Sequence, residues 1–178
     1  DDLERVLKEI KKAADKIRED NKRTADKIRK RVKELDDETR DMLRDHMVLH
    51  EYVNAAGITR EEARKVIEEL KKLVDEVRKR NEKSIEELKK LLKEDRDLMR
   101  RVIEELEDLV RRLREEVRDD EALRRVEEEV ERLIRDLRRV LKETSDRVRE
   151  LIDKHRRLSE EVEKDVKRLI DELKKKTD

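Results

Sequence analysis

Three histidines, His46, His50 and His155, are the side chains of this 178-residue chain whose ordinary titration falls near neutrality. Imidazoles gathered at one level of a fold could hold a metal ion, and a single buried one could act as a proton-sensitive switch. Spacing argues against the metal. On a helical reading His46 and His50 lie about three turns from the level of His155, so no second imidazole shares its layer. His155 is better read as a hydrogen-bonded member of a buried polar network, with the pH switch or metal ligand as the second reading. The chain has no Cys, which removes thiolate zinc sites, thiol nucleophiles and disulfides. Its 52 Asp and Glu face 52 Lys and Arg, and the carboxylates fall one helical turn from basic partners on faces expected to be solvated. The expectation is a protein that is not an enzyme and uses neither cofactor nor metal.

The elements that must position these groups follow from composition. Charged residues make up 58% of the chain and cancel to zero, with one Gly, no Pro, no Trp, no Phe and one Tyr. Strands and tight turns need β-branched or aromatic runs punctuated by Gly, Pro or Asn, so all-β and α/β folds are excluded. The 48 Leu, Ile and Val residues are enough to lift the chain out of the disordered class. No apolar run approaches the roughly 18 residues of a membrane span, no signal-peptide core is present, and finely mixed charges leave no basic stripe for nucleic acid.

Apolar residues recur in alternating steps of four and three along three stripes. The first runs Leu3, Leu7, Ile10, Ala14, Ile17, Asn21, Thr24, Ile28, Val32, Leu35, Thr39, Met42, His46, Leu49, Val53, Ala56, with one extra step of four. That is a heptad seam with a stutter. The second begins at Ala63 and passes through Leu91, Asp95, Leu98 and Val102 to Val117, and the third runs from Leu123 to Leu173. Additional apolar residues widen each stripe, as expected of a helix touching two neighbours. Two places break the pattern. At Gly57-Ile58-Thr59 the glycine can take the left-handed C-terminal position and Thr59 can cap a following helix, with Glu62 completing a capping box. At "RDDEAL" Asp119 or Asp120 can cap the next. Six shorter helices broken at "EDNKRT", "LDDET" or "RNEKS" are disfavoured, because the seams pass through those points without Gly or Pro. The expected fold is all-α, an up-down-up antiparallel, coiled-coil-like three-helix bundle forming a single domain, 1–178. Its helices of about 55–58 residues cover about 2–56, about 60–117 and about 120–177.

Polar residues interrupt the seams at Asn21, Thr24, Thr39, Asn81, Ser84, Asp95, Thr144 and His155, with Ser159 beside them. Folding the helices antiparallel brings Asn21 and Thr24 level with Asp95 and Thr144. It brings Asn81 and Ser84 level with Ser159 and His155, near Thr39. Two buried hydrogen-bonded layers are expected, each fed by all three helices and fixing register and helix order.

One stretch differs from its background. Residues 44–59 are Arg44, Asp45, His46, Met47, Val48, Leu49, His50, Glu51, Tyr52, Val53, Asn54, Ala55, Ala56, Gly57, Ile58 and Thr59, with the chain's one Tyr, its one Gly and two of its three His. The stretch carries a helical seam, yet Met47, Leu49, Glu51 and Val53 also alternate as a strand face. These sixteen residues resemble the eleventh β-strand of green fluorescent protein in its self-complementing tag form. The remainder resembles de novo designed helical bundles, with idealised heptads and layered polar networks. Spectrin-type repeats are the nearest natural analogue, though the chain lacks their Trp.

The resemblance implies a partner, the complementary barrel fragment of strands 1–10, which stays dark until its last strand is supplied. It implies that Met47, Leu49, Glu51 and Val53 would face the barrel interior, with Glu51 matching a glutamate near the chromophore. His46, Val48, His50 and Tyr52 would point outward. In the bundle the same residues must be helical, with Leu49 and Val53 buried. The expected function is a designed scaffold that cages this strand and releases it as a switch or reporter, with a competing designed helix as a further candidate partner. The alternative is an inert designed bundle or assembly component that tolerates the tag. Nucleic acid and membrane are not expected partners, and such a synthetic chain would have no native location and be soluble and cytoplasmic on recombinant expression.

Overall fold

The computed structural model describes residues 2–118 and 120–177, and the side chains of all of these except Tyr52, Asn54, Ala55, Ala56 and Asp120. Three helices account for the described chain: α1 (Asp2–Ala56), α2 (Arg60–Glu116) and α3 (Asp120–Thr177), with no strand among the described residues. The fold is an all-α three-helix bundle.

Long uninterrupted helices follow from the near-absence of breakers and from Glu, Lys, Arg and Leu as the bulk residues, all good helix formers. α1 stops at Gly57, whose φ of +62° lies in the left-handed region where a Cβ is penalised. Ile58 then folds half-buried against the apolar cluster at this end of α1. Thr59 caps α2 by accepting the Glu62 N–H at 3.2 Å on its hydroxyl and the Ala63 N–H at 3.0 Å on its carbonyl. α2 ends at Glu116, although the Val117 N–H still donates to the Leu113 carbonyl at 2.9 Å. The capping role assigned to Asp119 or Asp120 lies outside the described residues and side chains.

Tertiary contacts divide the chain into two compact units, one made of residues 1–28 and 88–149, the other of 29–87 and 150–178. Each draws on all three helices. In the first unit, Lys11–Glu129 and Arg18–Asp136 pairs run in the same sense along α1 and α3, whereas Arg138–Glu107 and Arg114–Glu127 run in opposite senses along α3 and α2. Its core gathers Ile10, Ala14 and Ile17 with Met99, Ile103, Leu106, Val130 and Leu137. The second unit has a core of Val53, Ile67, Leu70, Val74, Val162, Val166, Ile170 and Leu173.

Burial recurs with a period of eighteen residues. Ile10, Ile28 and His46 on α1, Ile67, Ile85 and Ile103 on α2, and Ile134, Ile152 and Ile170 on α3 are all buried and stand eighteen apart. Eighteen residues make five turns at 3.6 per turn, so each repeat returns a side chain to the same face. Two heptads and one stutter give the same length, so the stutter is part of a regular repeat rather than an isolated irregularity. This repeat corrects the second seam in detail. Leu98 is 42% exposed, while its neighbour Met99 is fully buried, because Met99 lies eighteen residues beyond buried Asn81.

Candidate functional site

Most of the described side chains singled out above lie in two polar layers, one in each unit, or at the end of α1. In the first unit Asn21 is 1% exposed and donates through Nδ2 to Asp95 Oδ2 at 2.5 Å, while its Oδ1 accepts from Thr144 Oγ1 at 2.8 Å. One residue from each helix is thus joined. Burial pushes the Asp95 carboxyl above its ordinary range, and the negative charge of Asp20 adds to this, while the hydrogen bond from Asn21 opposes it. Thr24 is half-buried and takes no part in these hydrogen bonds. Ser145, which lies off the traced seam beside Thr144, is buried, and its hydroxyl has no partner among the described residues.

The layer of the second unit is a directed chain of hydrogen bonds. Thr39 Oγ1 donates to the Leu35 carbonyl at 2.7 Å and accepts from Asn81 Nδ2 at 3.1 Å. Asn81 Nδ2 also reaches Ser159 Oγ at 3.4 Å, and Ser159 Oγ lies 3.5 Å from His155 Nε2. His155 is 1% exposed, and its Nδ1 lies 2.6 Å from Asp36 Oδ1. A carboxylate can only accept, so Nδ1 carries a proton and donates it to Asp36. Asp36 was not singled out in the sequence because it flanks the seam. It lies eighteen residues beyond Arg18, which pairs with Asp136 on α3 at 2.7 Å, so the repeat was the signal that could have found it. Ser84 is buried but departs from the expected layer: Arg31 Nη2 donates to its hydroxyl at 3.4 Å. Asn81 Oδ1 is buried without a partner among the described residues, a cost this layer carries. Thr39, Asn81, His155 and Ser159 line a groove of about 630 Å³, walled by Met42, Val74, Val77 and Ile85. No cluster of three or more metal-binding side chains occurs among the described residues.

The segment 44–59 is helical through residue 56. Val53 is 2% exposed and His46 4%, Leu49 and His50 are half-buried, and Glu51, Arg44 and Asp45 are exposed. Met47 and Val48 face solvent at 53% and 61% exposure, the most exposed large apolar residues described. Arg44 pairs with Asp41 at 3.6 Å, and His50 Nε2 lies 2.6 Å from Glu172 on α3. The expectation that Leu49 is buried is corrected to half-buried, since α1 turns Val53 and His46 inward most fully. The side chains of Tyr52, Asn54, Ala55 and Ala56 lie outside the described residues.

His46 stands in the register that isoleucine occupies in its other eight places. Neither ring nitrogen has a partner among the described residues, and burial holds the imidazole below its ordinary value against a weaker pull from Asp45. The last turn of α1 contains no basic residue, whereas α2 has Arg114 and α3 has Lys174, Lys175 and Lys176 there. A cation at that place is worth about 0.3–1 kcal/mol, so this end of α1 lacks a support that the other two helices have.

This geometry defines a class, a three-helix bundle with buried polar layers. A solved structure described as "Computationally designed three helix bundle" is similar, with a TM-score of 0.53 and 18% identity over 99% of this chain and 88% of that one. At that identity the likeness is one of fold. No protein-family model and no curated protein sequence matches the chain. No helix among the described residues is long and apolar enough to cross a membrane.

Proposed function

We propose that the chain is a designed bundle that cages a split fluorescent protein strand, residues 44–59, in helical form and yields it to the complementary ten-stranded fragment when α1 opens. The observation that carries this reading is the conflict between the two faces of the segment. Leu49 and Val53 belong both to the alternating face that a strand would turn into a barrel and to the stripe that α1 turns toward α2 and α3. The backbone N–H and C=O groups are spent within the helix, so strand pairing and helix packing exclude one another. The broken isoleucine register at His46 and the lack of a basic residue in the last turn of α1 fit a guest sequence set into a regular host. In this reading the protein is not an enzyme and takes no cofactor, and a helix competing for the place of α1 would act as a releasing partner.

Mixing the chain with a barrel fragment lacking its last strand tests the reading. Slow fluorescence recovery that becomes fast after cleavage near Gly57, or on adding a peptide copying residues 2–43, is the expected result. Recovery as fast as with free 44–59 peptide would remove the cage. No recovery even after cleavage would leave a structural bundle that merely tolerates the segment.

A further inference from the structure

His46 is buried where an apolar side chain belongs. Helical spacing sets it between Met42 and Leu43 on one side and Leu49 and Val53 on the other, all part of the apolar cluster of this unit. On α1 its titratable neighbours are Asp45 and His50, the latter held against Glu172 at 2.6 Å. The Thr39–Asn81 and Arg31–Ser84 contacts set the register of α2, which presents Lys71, Lys72 and Asp75 at this level, all exposed. The His155–Asp36 and His50–Glu172 contacts set that of α3, which presents exposed Lys167 and half-buried Asp165, itself paired with Arg168 at 3.7 Å. None of these groups hydrogen-bonds the ring.

We infer that His46 is an acid-sensitive latch: its protonation opens the C-terminal end of α1 and exposes residues 44–59. That the exposed segment then serves as a strand rests on the reading proposed above. The opening itself follows from the packing. An imidazolium carries a charge and two N–H donors; in this pocket neither donor has a partner among the described residues, and Asp45 offsets the cost of burying the charge only in part. Water satisfies them, and the ring reaches water by leaving α2 and α3, taking the end of α1 with it. The sign is fixed by linkage. The folded-state value lies below the ordinary 6.5, so the opened form binds more protons as pH falls below 6.5, and opening is favoured there. His50, held against Glu172 at 2.6 Å, is the second imidazole of this segment. A His50→Gln background leaves His46 as its one imidazole.

Amide hydrogen exchange of peptides covering residues 44–56, corrected for intrinsic rates, reads the opening directly. Between about pH 7.5 and about pH 5.5, uptake of one proton on opening lowers protection up to about tenfold. His46→Ile restores the register and is expected to be at least as well folded, with higher protection at both pH values and that pH step removed. Peptides around Ile10 and Ile28 should not show the step. An equal step in His46→Ile overturns the latch, as does a His46 ring that titrates at or above its ordinary value by NMR in the folded protein. The exchange experiment needs no barrel fragment, so the two readings fail separately. Acid opening without complementation removes the caged strand and keeps the latch, while complementation with flat exchange does the reverse.

Discussion

Asp95 and His46 are buried ionisable residues whose burial acts with opposite consequences for pH. Asp95 is held above its ordinary carboxyl value of 3.8, so the folded state binds the proton more tightly than the unfolded one. Its favourable contribution is present below 3.8 and is lost as pH rises through the folded-state value, whereas the His46 site is intact above 6.5 and weakens below it. Asp95→Asn keeps an oxygen to accept from Asn21 while removing the charge. It should stabilise the protein by about 1 kcal/mol at neutral pH, read from urea midpoints, and flatten the rise in stability toward acid. A variant less stable than the parent at neutral pH would mean the carboxylate is fully compensated by its partners. Most polar residues on the seams were legible because a polar side chain in an apolar stripe is costly enough to need a reason. Asp36 and Ser145 were not. Each flanks its stripe, and only the facing helix decides whether a flanking side chain is turned toward a partner or toward water.

At the scale of elements, the end of α1 depends on three devices: Gly57 at positive φ, the Thr59 cap, and burial of Val53 against α2 and α3. Open space surrounds the missing Cβ of Gly57, so substitution there is penalised by backbone conformation alone. Gly57→Ala should destabilise by about 1–2 kcal/mol in thermal or urea unfolding. Thr59→Ala should cost about 1 kcal/mol through the lost bond to the Glu62 N–H. Both devices were readable from T-x-x-E and from the position of the lone glycine. Val166 of α3 is fully buried in the same cluster and lies outside residues 44–59. Val166→Ala removes about 2 kcal/mol of packing without altering residues 44–59. It should therefore speed complementation by about tenfold or more if release proceeds through opening, since each 1.4 kcal/mol is a factor of ten. An unchanged rate would place release outside this helix contact.

For the whole molecule, the question is what the charge does. The described ion pairs are mostly on the surface, many of them one turn apart on a single helix, such as Arg40–Asp37, Arg44–Asp41 and Arg168–Asp165. Such pairs are each worth about 0–1 kcal/mol and are screened by salt. Raising salt from about 0.1 M to about 1 M should shift the urea midpoint less than a single core truncation such as Ile103→Ala, expected to cost about 2–5 kcal/mol. A larger salt effect would make the ion pairs, not the buried register, the main support of the fold. The amino-acid sequence alone determined the three helices, their order and the turn at Gly57–Thr59, because helix propensity, breakers and caps are local and act within a few residues. It also carried the segment 44–59, whose alternation and composition stand out from the rest of the chain without reference to any neighbour. Only the tertiary structure decided which flank of each stripe is buried: Met99 rather than Leu98, and Arg31 rather than His155 as the partner of Ser84. It also left His46 buried in an isoleucine register, with no hydrogen-bond partner among the described residues. A stripe several residues wide leaves the rotation of a helix open by tens of degrees, and that rotation is set by packing against two other helices at once.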